Sequence, residues 1–164
     1  MREAVQRYKF GPAPAYGRPF GLLMAQCARD QGVEAELVTW APLSKKRRRK
    51  RGFDQGELLA RTVGECLALP VLPLLEKSRH TVPQSSLPDG AARRANALGA
   101  YSLLPGRRIE GGRVLLVDDV VTSGATLSEC ARLLCQGGAK QVLCLTLAQA
   151  GEGGDKLENN RNNG

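Results

Sequence analysis

Histidine occurs once in this chain, as His80, and none of the five cysteines forms a Cys-x-x-Cys pair. A His/Cys metal cluster, a zinc ribbon and a redox dithiol are therefore not written in the spacing. Cys27, Cys66, Cys130, Cys135 and Cys144 are scattered and read as small, mostly core residues. Aromatic residues make up only 4% of the chain, too few to build a base-stacking platform. No apolar run approaches the roughly 18 residues needed to span a bilayer. Met1-Arg2-Glu3 leads into a polar segment and not a signal-peptide core, so the sequence predicts a soluble, cytoplasmic protein without a membrane span.

Acidic residues are also in short supply, 16 against 24 Lys and Arg, for a formal charge of +8. The imbalance suggests a nucleic-acid surface until it is located. Lys45 to Arg51 is an unbroken run of seven basic residues, and removing it from +8 leaves +1. The excess is local, and within the run no aromatic is interleaved. At 164 residues the chain fits one domain, expected over 1–149. The polar stretch that follows, 150–164, is expected to be a disordered tail.

What the chain does have centres on RVLLVDDVVTSGAT, Arg113 to Thr126. Val114 to Val117 is a short unbroken apolar run, suited to a central parallel strand covered on both faces. Asp118 and Asp119 are placed where that strand ends. Thr122, Ser123, Gly124, Ala125 and Thr126 then supply hydroxyls and a backbone without bulk before a helix begins. Free N–H groups at a helix start favour an anion, and Gly124 lets the backbone come close to one. Carboxylates beside a phosphate cradle must face something else, so sugar hydroxyls or a hydrated Mg²⁺ are their natural partners. The pattern points to a phosphorylated sugar bound outside the carboxyl end of a strand.

Around this centre the elements follow in order. Phe20, Leu23, Met24, Cys27 and Ala28 lie at helical spacing after Pro19 and mark one buried face. Ala35 to Leu43 reads as a strand leading into the basic run, taken as a loop. Asp54 and Glu57 form a capping-box pattern, with Phe53 and Leu58 at the staple positions, so a helix is predicted to start at Asp54 and to stop before Pro70. Val71 to Leu75 is expected as a strand. Glu76 to Asn96 is polar and punctuated by Pro83, Pro88 and Gly90, long for a loop and therefore a lid candidate. Gly99 to Leu104 reads as a short strand; Leu127, Cys130, Ala131 and Leu134 mark a further helix, and Gln141 to Leu147 a last strand. The alternation predicts an α/β domain with a mainly parallel sheet flanked by helices.

The segment Val114 to Thr126 resembles the phosphoribosyl pyrophosphate (PRPP) signature of the type I phosphoribosyltransferases. The resemblance implies that Asp118 and Asp119 contact the ribose hydroxyls and that Thr122, Ser123, Gly124, Ala125 and Thr126 wrap the 5′-phosphate. Pro42-Leu43-Ser44, then Arg47, Arg49 and Arg51 with Gly52-Phe53-Asp54-Gln55, then Gln84 with Leu87, and Arg93 or Arg94 with Asn96 narrow it to the ComF family, linked to competence for DNA uptake. Its members usually begin with a cysteine zinc ribbon, absent from this sequence, and carry Asn where Asp54 stands. The resemblance further implies a pyrophosphate loop containing Ser44, Lys45, Lys46, Arg47, Arg49 and Arg51, and a mobile loop containing Arg79, Gln84, Arg93, Arg94 and Asn96. Mg²⁺ is implied through PRPP and water, with no direct protein ligand.

The leading expectation is therefore an enzyme that displaces pyrophosphate from ribose C1 with an acceptor the sequence leaves open. The runner-up is a PRPP- or nucleotide-sensing protein of the same fold that binds DNA or a competence partner, and a homodimer is a further candidate assembly. A nucleic-acid module driven by Lys45 to Arg51 alone is the weakest reading. His80 is read as a lid residue, since no partner for general-base work is visible.

Overall fold

Four consecutive apolar residues, Val114 to Val117, place alternate side chains on opposite faces of one strand, and every one is at most 1% exposed in the computed structural model. Val114 and Leu116 join a core with Leu74, Tyr101, Ile109, Cys130 and Leu134. Leu115 and Val117 join another with Phe20, Met24, Val38, Trp40, Leu59 and Val63. A run that reads as unbroken in sequence is thus covered on both sides in space.

The structure describes residues 14–78, 90–107 and 109–149. Helix α1 (Gly17–Asp30) is followed by β1 (Leu37–Trp40), the short helix α2 (Lys45–Arg51), α3 (Gln55–Leu67), β2 (Leu75–Glu76), α4 (Gly90–Ala97), β3 (Ser102–Leu103), β4 (Arg113–Val121), α5 (Ala125–Gln136) and β5 (Gln141–Gln149). Strands β1, β4 and β5 form a parallel sheet in that order, with β4 in the middle, while β2 and β3 pair antiparallel in a separate ribbon. Helices α1 and α3 cover one face of the sheet; α5 and the ribbon cover the other. This is the predicted α/β architecture. Among the described residues no helix is long and apolar enough to cross a membrane. The tail expected at 150–164 lies outside the described residues.

Several boundaries differ from the sequence reading for physical reasons. The basic run is a helix, not a loop: Ser44 accepts the Arg47 N–H as N-cap, and Gly52, at φ 81°, closes the C-terminal end in the left-handed region that glycine tolerates. In α1 the buried face is Phe20, Gly21, Met24, Ala25 and Ala28, whereas Leu23 is 52% exposed. Small residues turn inward because α1 and α3 approach closely; a Cβ on Gly21 would sit 2.5 Å from the Thr62 Cβ. The strand expected over Val71 to Leu75 shrinks to Leu75–Glu76, and Val71 keeps only an isolated bridge to Val38. Pro73 between them has no N–H to give a ladder.

Candidate functional site

β4 outruns β1. The last paired residue of β1 is Trp40, opposite Val117, and the Ala41 N–H donates to the Val117 carbonyl before the chain leaves the sheet. On its other side β4 continues along β5, pairing Asp118 with Thr146 and Val121 with Gln149. Asp118 and Asp119 therefore lie inside the strand, not at its end as the sequence suggested, because β5 keeps the ladder going. They occupy the stretch whose β1 side has been vacated.

The carboxylates interact closely. Asp118 Oδ1 accepts the Asp119 N–H at 2.8 Å, and Asp119 Oδ1 accepts the Val120 N–H at 2.7 Å. Burial and then the neighbouring Asp119 carboxylate push the Asp118 carboxyl well above the usual carboxylate range. A carboxylate held against its will in this way is a strong hydrogen-bond acceptor, suited to hydroxyl donors.

Beyond Val121 the chain turns through Thr122 and Ser123 to Gly124, whose φ of 74° provides the N-cap of α5. A cleft of about 40 Å³ is lined by Asp118, Val120, Val121, Thr122, Gly124, Ala125, Thr126 and Leu127. Ser123 Oγ is buried without a hydrogen-bond partner among the described residues, a costly arrangement unless a ligand oxygen satisfies it. Space around Gly124 is open, since a Cβ there would meet nothing within 4 Å. With the first-turn N–H groups of α5 these features fit a phosphate.

The helical form of the basic run sorts its residues. Ser44, Lys45 and Lys46 line a second cleft, of about 280 Å³, together with Glu76, Lys77 and Ser78. Arg47 and Arg51, one turn apart, are half-buried. Arg47 faces Tyr101 and is drawn below its usual value by burial and by Arg51, while Arg51 donates to Gln55 Oε1 at 2.6 Å. Arg48 pairs with Glu57 at 3.0 Å. Arg49, named as a pyrophosphate residue from the resemblance, is exposed and does not line the cleft.

Residues Arg93, Arg94 and Asn96 fall on α4, so this part of the expected mobile loop is helical. Its C-terminal end is anchored: the Gly99 N–H donates to the buried Glu129 of α5 at 2.9 Å, and Arg132 holds the same carboxylate. Arg79, His80 and Gln84 lie outside the described residues.

Two groups were beyond the reach of sequence reasoning. Lys77 Nζ donates to the Tyr101 hydroxyl at 3.1 Å, and Tyr101 shares a hydrogen bond with Thr126 of the small-residue loop. Neither belongs to a spacing pattern; only the pairing of β2 with β3 brings them together. No cluster of three or more His, Cys, Asp or Glu able to hold a metal occurs among the described residues.

Comparison with known proteins agrees with this fold. The phosphoribosyl transferase domain family matches residues 56–162. Competence protein F of Haemophilus influenzae is 32% identical over 153 residues, covering 89% of this chain and 66% of that protein. The DNA utilization protein YhgH of Escherichia coli O157:H7 is 33% identical over 142 residues, covering 82% of this chain and 61% of the relative. The chain thus spans about two thirds or less of the length of these relatives. Among solved structures, the glutamine PRPP amidotransferase of B. subtilis superposes with a TM-score of 0.59 at 24% identity, over 85% of this chain and 30% of that one. By family match and by fold, the chain belongs to the phosphoribosyl transferase domain family, as a ComF-type member.

Proposed function

We propose that the protein binds PRPP and transfers its phosphoribosyl group to an acceptor, with release of pyrophosphate. The observation that carries this reading is the adjacency of two unlike clefts at the carboxyl ends of β1 and β4. One has the Asp118 carboxylate, threonine hydroxyls and a helix start; the other has three lysines against one glutamate. A ligand with a phosphate at one end, two ring hydroxyls in the middle and a pyrophosphate at the other end is complementary to both.

In this reading Thr122, Ser123 and Thr126 donate to the 5′-phosphate, and Gly124 leaves room for it. Asp118 and Asp119 accept from the ribose hydroxyls. Ser44, Lys45, Lys46 and Arg47 face the pyrophosphate. As the C1–O bond breaks, positive charge grows on the ribose and negative charge on the leaving group; the Asp118–Asp119 pair stabilises the first and the cations the second. Mg²⁺, held by PRPP oxygens and water, would add charge neutralisation on the pyrophosphate. The segment from Arg79 to Asn96 is proposed to cover the reacting centre and keep water from competing as nucleophile.

A second reading is favoured by Arg49 and Lys50, which are exposed on α2 and do not line the cationic cleft. They suit a nucleic-acid backbone, in keeping with relatives named for competence and DNA utilization, and would make the protein a PRPP-responsive DNA-binding factor. Pyrophosphate release from PRPP, screened against nucleobases, amines and acids, decides between the two. Turnover with any acceptor supports the transferase; tight PRPP binding without turnover supports the sensor.

A further inference from the structure

Lys77 follows the short strand β2 and is half-buried in the lining of the cationic cleft. Its ammonium is held twice by one residue: Nζ lies 3.1 Å from the Tyr101 hydroxyl and 4.8 Å from the centre of the Tyr101 ring. Lysine side chains ordinarily spend entropy to become ordered, and here that ordering is done in advance. Tyr101 is itself buried, 7% exposed, and its hydroxyl also shares a hydrogen bond with the Thr126 side chain. The chain Lys77, Tyr101, Thr126 therefore links the cationic cleft to the hydroxyl loop after β4.

We propose that Lys77 is a polyphosphate-binding residue of this site, positioned by Tyr101 so that its ammonium meets the pyrophosphate end of the ligand while Thr126 engages the phosphate end. This rests on the PRPP reading above and adds to it a cation from outside the basic helix. Among the described residues the one carboxylate lining the cleft, Glu76, is engaged by Lys45 at 3.9 Å and accepts from the Ser102 hydroxyl at 3.5 Å, so their lining is net cationic.

The groups facing Lys77 decide how it responds to an anion. Arg47 approaches from α2, Tyr101 from the start of β3, Asp118 from β4 and Cys130 from α5. Burial, then Arg47, bring the ammonium down to about 8, while Cys130 and Asp118 act in the opposite sense. A polyanion arriving in the cleft offsets both lowering influences. Lys77 then takes up a proton as the ligand binds.

The test is titration calorimetry of the full chain with inorganic pyrophosphate at pH 8, in two buffers of different ionisation enthalpy. Wild type is expected to take up about half a proton more per anion than Lys77→Arg, since a group near 8 is half neutral at that pH and arginine is always charged; the difference between the two removes the protons of pyrophosphate itself. Lys77→Met should weaken binding roughly ten- to a hundred-fold, the range for a charge-assisted hydrogen bond, and Lys77→Arg should recover most of it. Tyr101→Phe, which keeps the ring and removes the hydroxyl, should weaken binding several-fold with unchanged circular dichroism. Lys77→Met binding pyrophosphate like wild type, or equal proton uptake in wild type and Lys77→Arg, overturns the role of Lys77 while leaving the PRPP reading standing. Wild-type protein that binds no pyrophosphate overturns both.

Discussion

The Leu43 N–H donates to Asp54 Oδ2 at 2.8 Å, and the other oxygen of the same carboxylate accepts the Glu57 N–H at 3.3 Å. One buried side chain thereby fastens the exit from β1 to the start of α3, with the whole basic helix held between. Asp54 is 3% exposed and both its oxygens are occupied by backbone, so it supports the cationic cleft without needing to touch a ligand. Asp54→Asn keeps one acceptor and points a donor at one of the two N–H groups. A loss of about 1 to 3 kcal/mol is expected, read as a lower urea midpoint at unchanged slope. An unaltered midpoint would mean the tie contributes nothing.

Asp118 should show a conflict between stability and binding. Its carboxyl is raised in the folded state by burial and by Asp119, so the native protein binds that proton more tightly than the unfolded chain does. The penalty for ionising it is absent below the unfolded value and grows as pH rises towards the folded one. Asp118→Asn should therefore melt higher than wild type near neutral pH, with a difference that shrinks towards pH 4. The same variant, and Asp119→Asn, should lose about 1.5 to 3 kcal/mol of PRPP affinity in Mg²⁺. Thermal melts across pH with calorimetry check both halves, and unchanged affinity in both variants would remove the pair from the site.

Gly124 is required by conformation more than by crowding. Its φ of 74° is costly for any L-residue, by about 1 to 2 kcal/mol, yet the protein places no atom within 4 Å of a Cβ built there. Gly124→Val should fold with reduced stability and fail to bind ribose 5-phosphate, because its side chain fills the space offered to the phosphate. Normal binding by a folded variant would reduce the loop to a turn.

The helical form of Lys45–Arg51 redefines the surface to be tested with DNA. In an extended loop every second residue, Lys46, Arg48 and Lys50, would point away from the small-molecule site. On a helix the outward set is Arg49 and Lys50, since Lys46 lines the cationic cleft and Arg48 is paired with Glu57. If about five phosphates are engaged, the log-log salt slope on duplex DNA should be near −4.5. Replacing Arg49 and Lys50 with Ser should reduce its magnitude by roughly two while PRPP binding survives. No binding of wild type to DNA at low salt would assign the run to the small-molecule site or to solvent.

The parts of the fold that can be read from sequence are those governed by local rules. Asp54 and Glu57 announce a helix start through a cap that forms as expected, and Val114 to Val117 announce a doubly covered strand because no polar residue interrupts them. The family signature from Asp118 to Thr126 is legible because its residue types and order are unusual together. Misreadings arise where a distant partner decides. The β4 ladder continues through Asp118 because β5 lies alongside, and Gly21 and Ala25 share the inward face of α1 with Phe20 and Met24 because α3 presses against Gly21. Seven basic residues in succession repel one another, so a helix there is unexpected until Ser44 and Gly52 are seen to close its two ends. Lys77 and Tyr101 are 24 residues apart with no periodicity between them, and only the β2–β3 ribbon makes them neighbours.

The pairing of Leu37 with Val114 and Trp40 with Val117 also governs when the site can come into being. The cationic cleft follows β1 and the hydroxyl loop follows β4, and the two strands are adjacent in the sheet but far apart along the chain. Closing so long an intervening loop has an entropic cost that must be met before any contact across it forms. A ribosome-bound chain that has exposed only its first half therefore carries the basic helix with no acidic pair beside it. The acidic pair joins the basic helix only when β4 docks against β1.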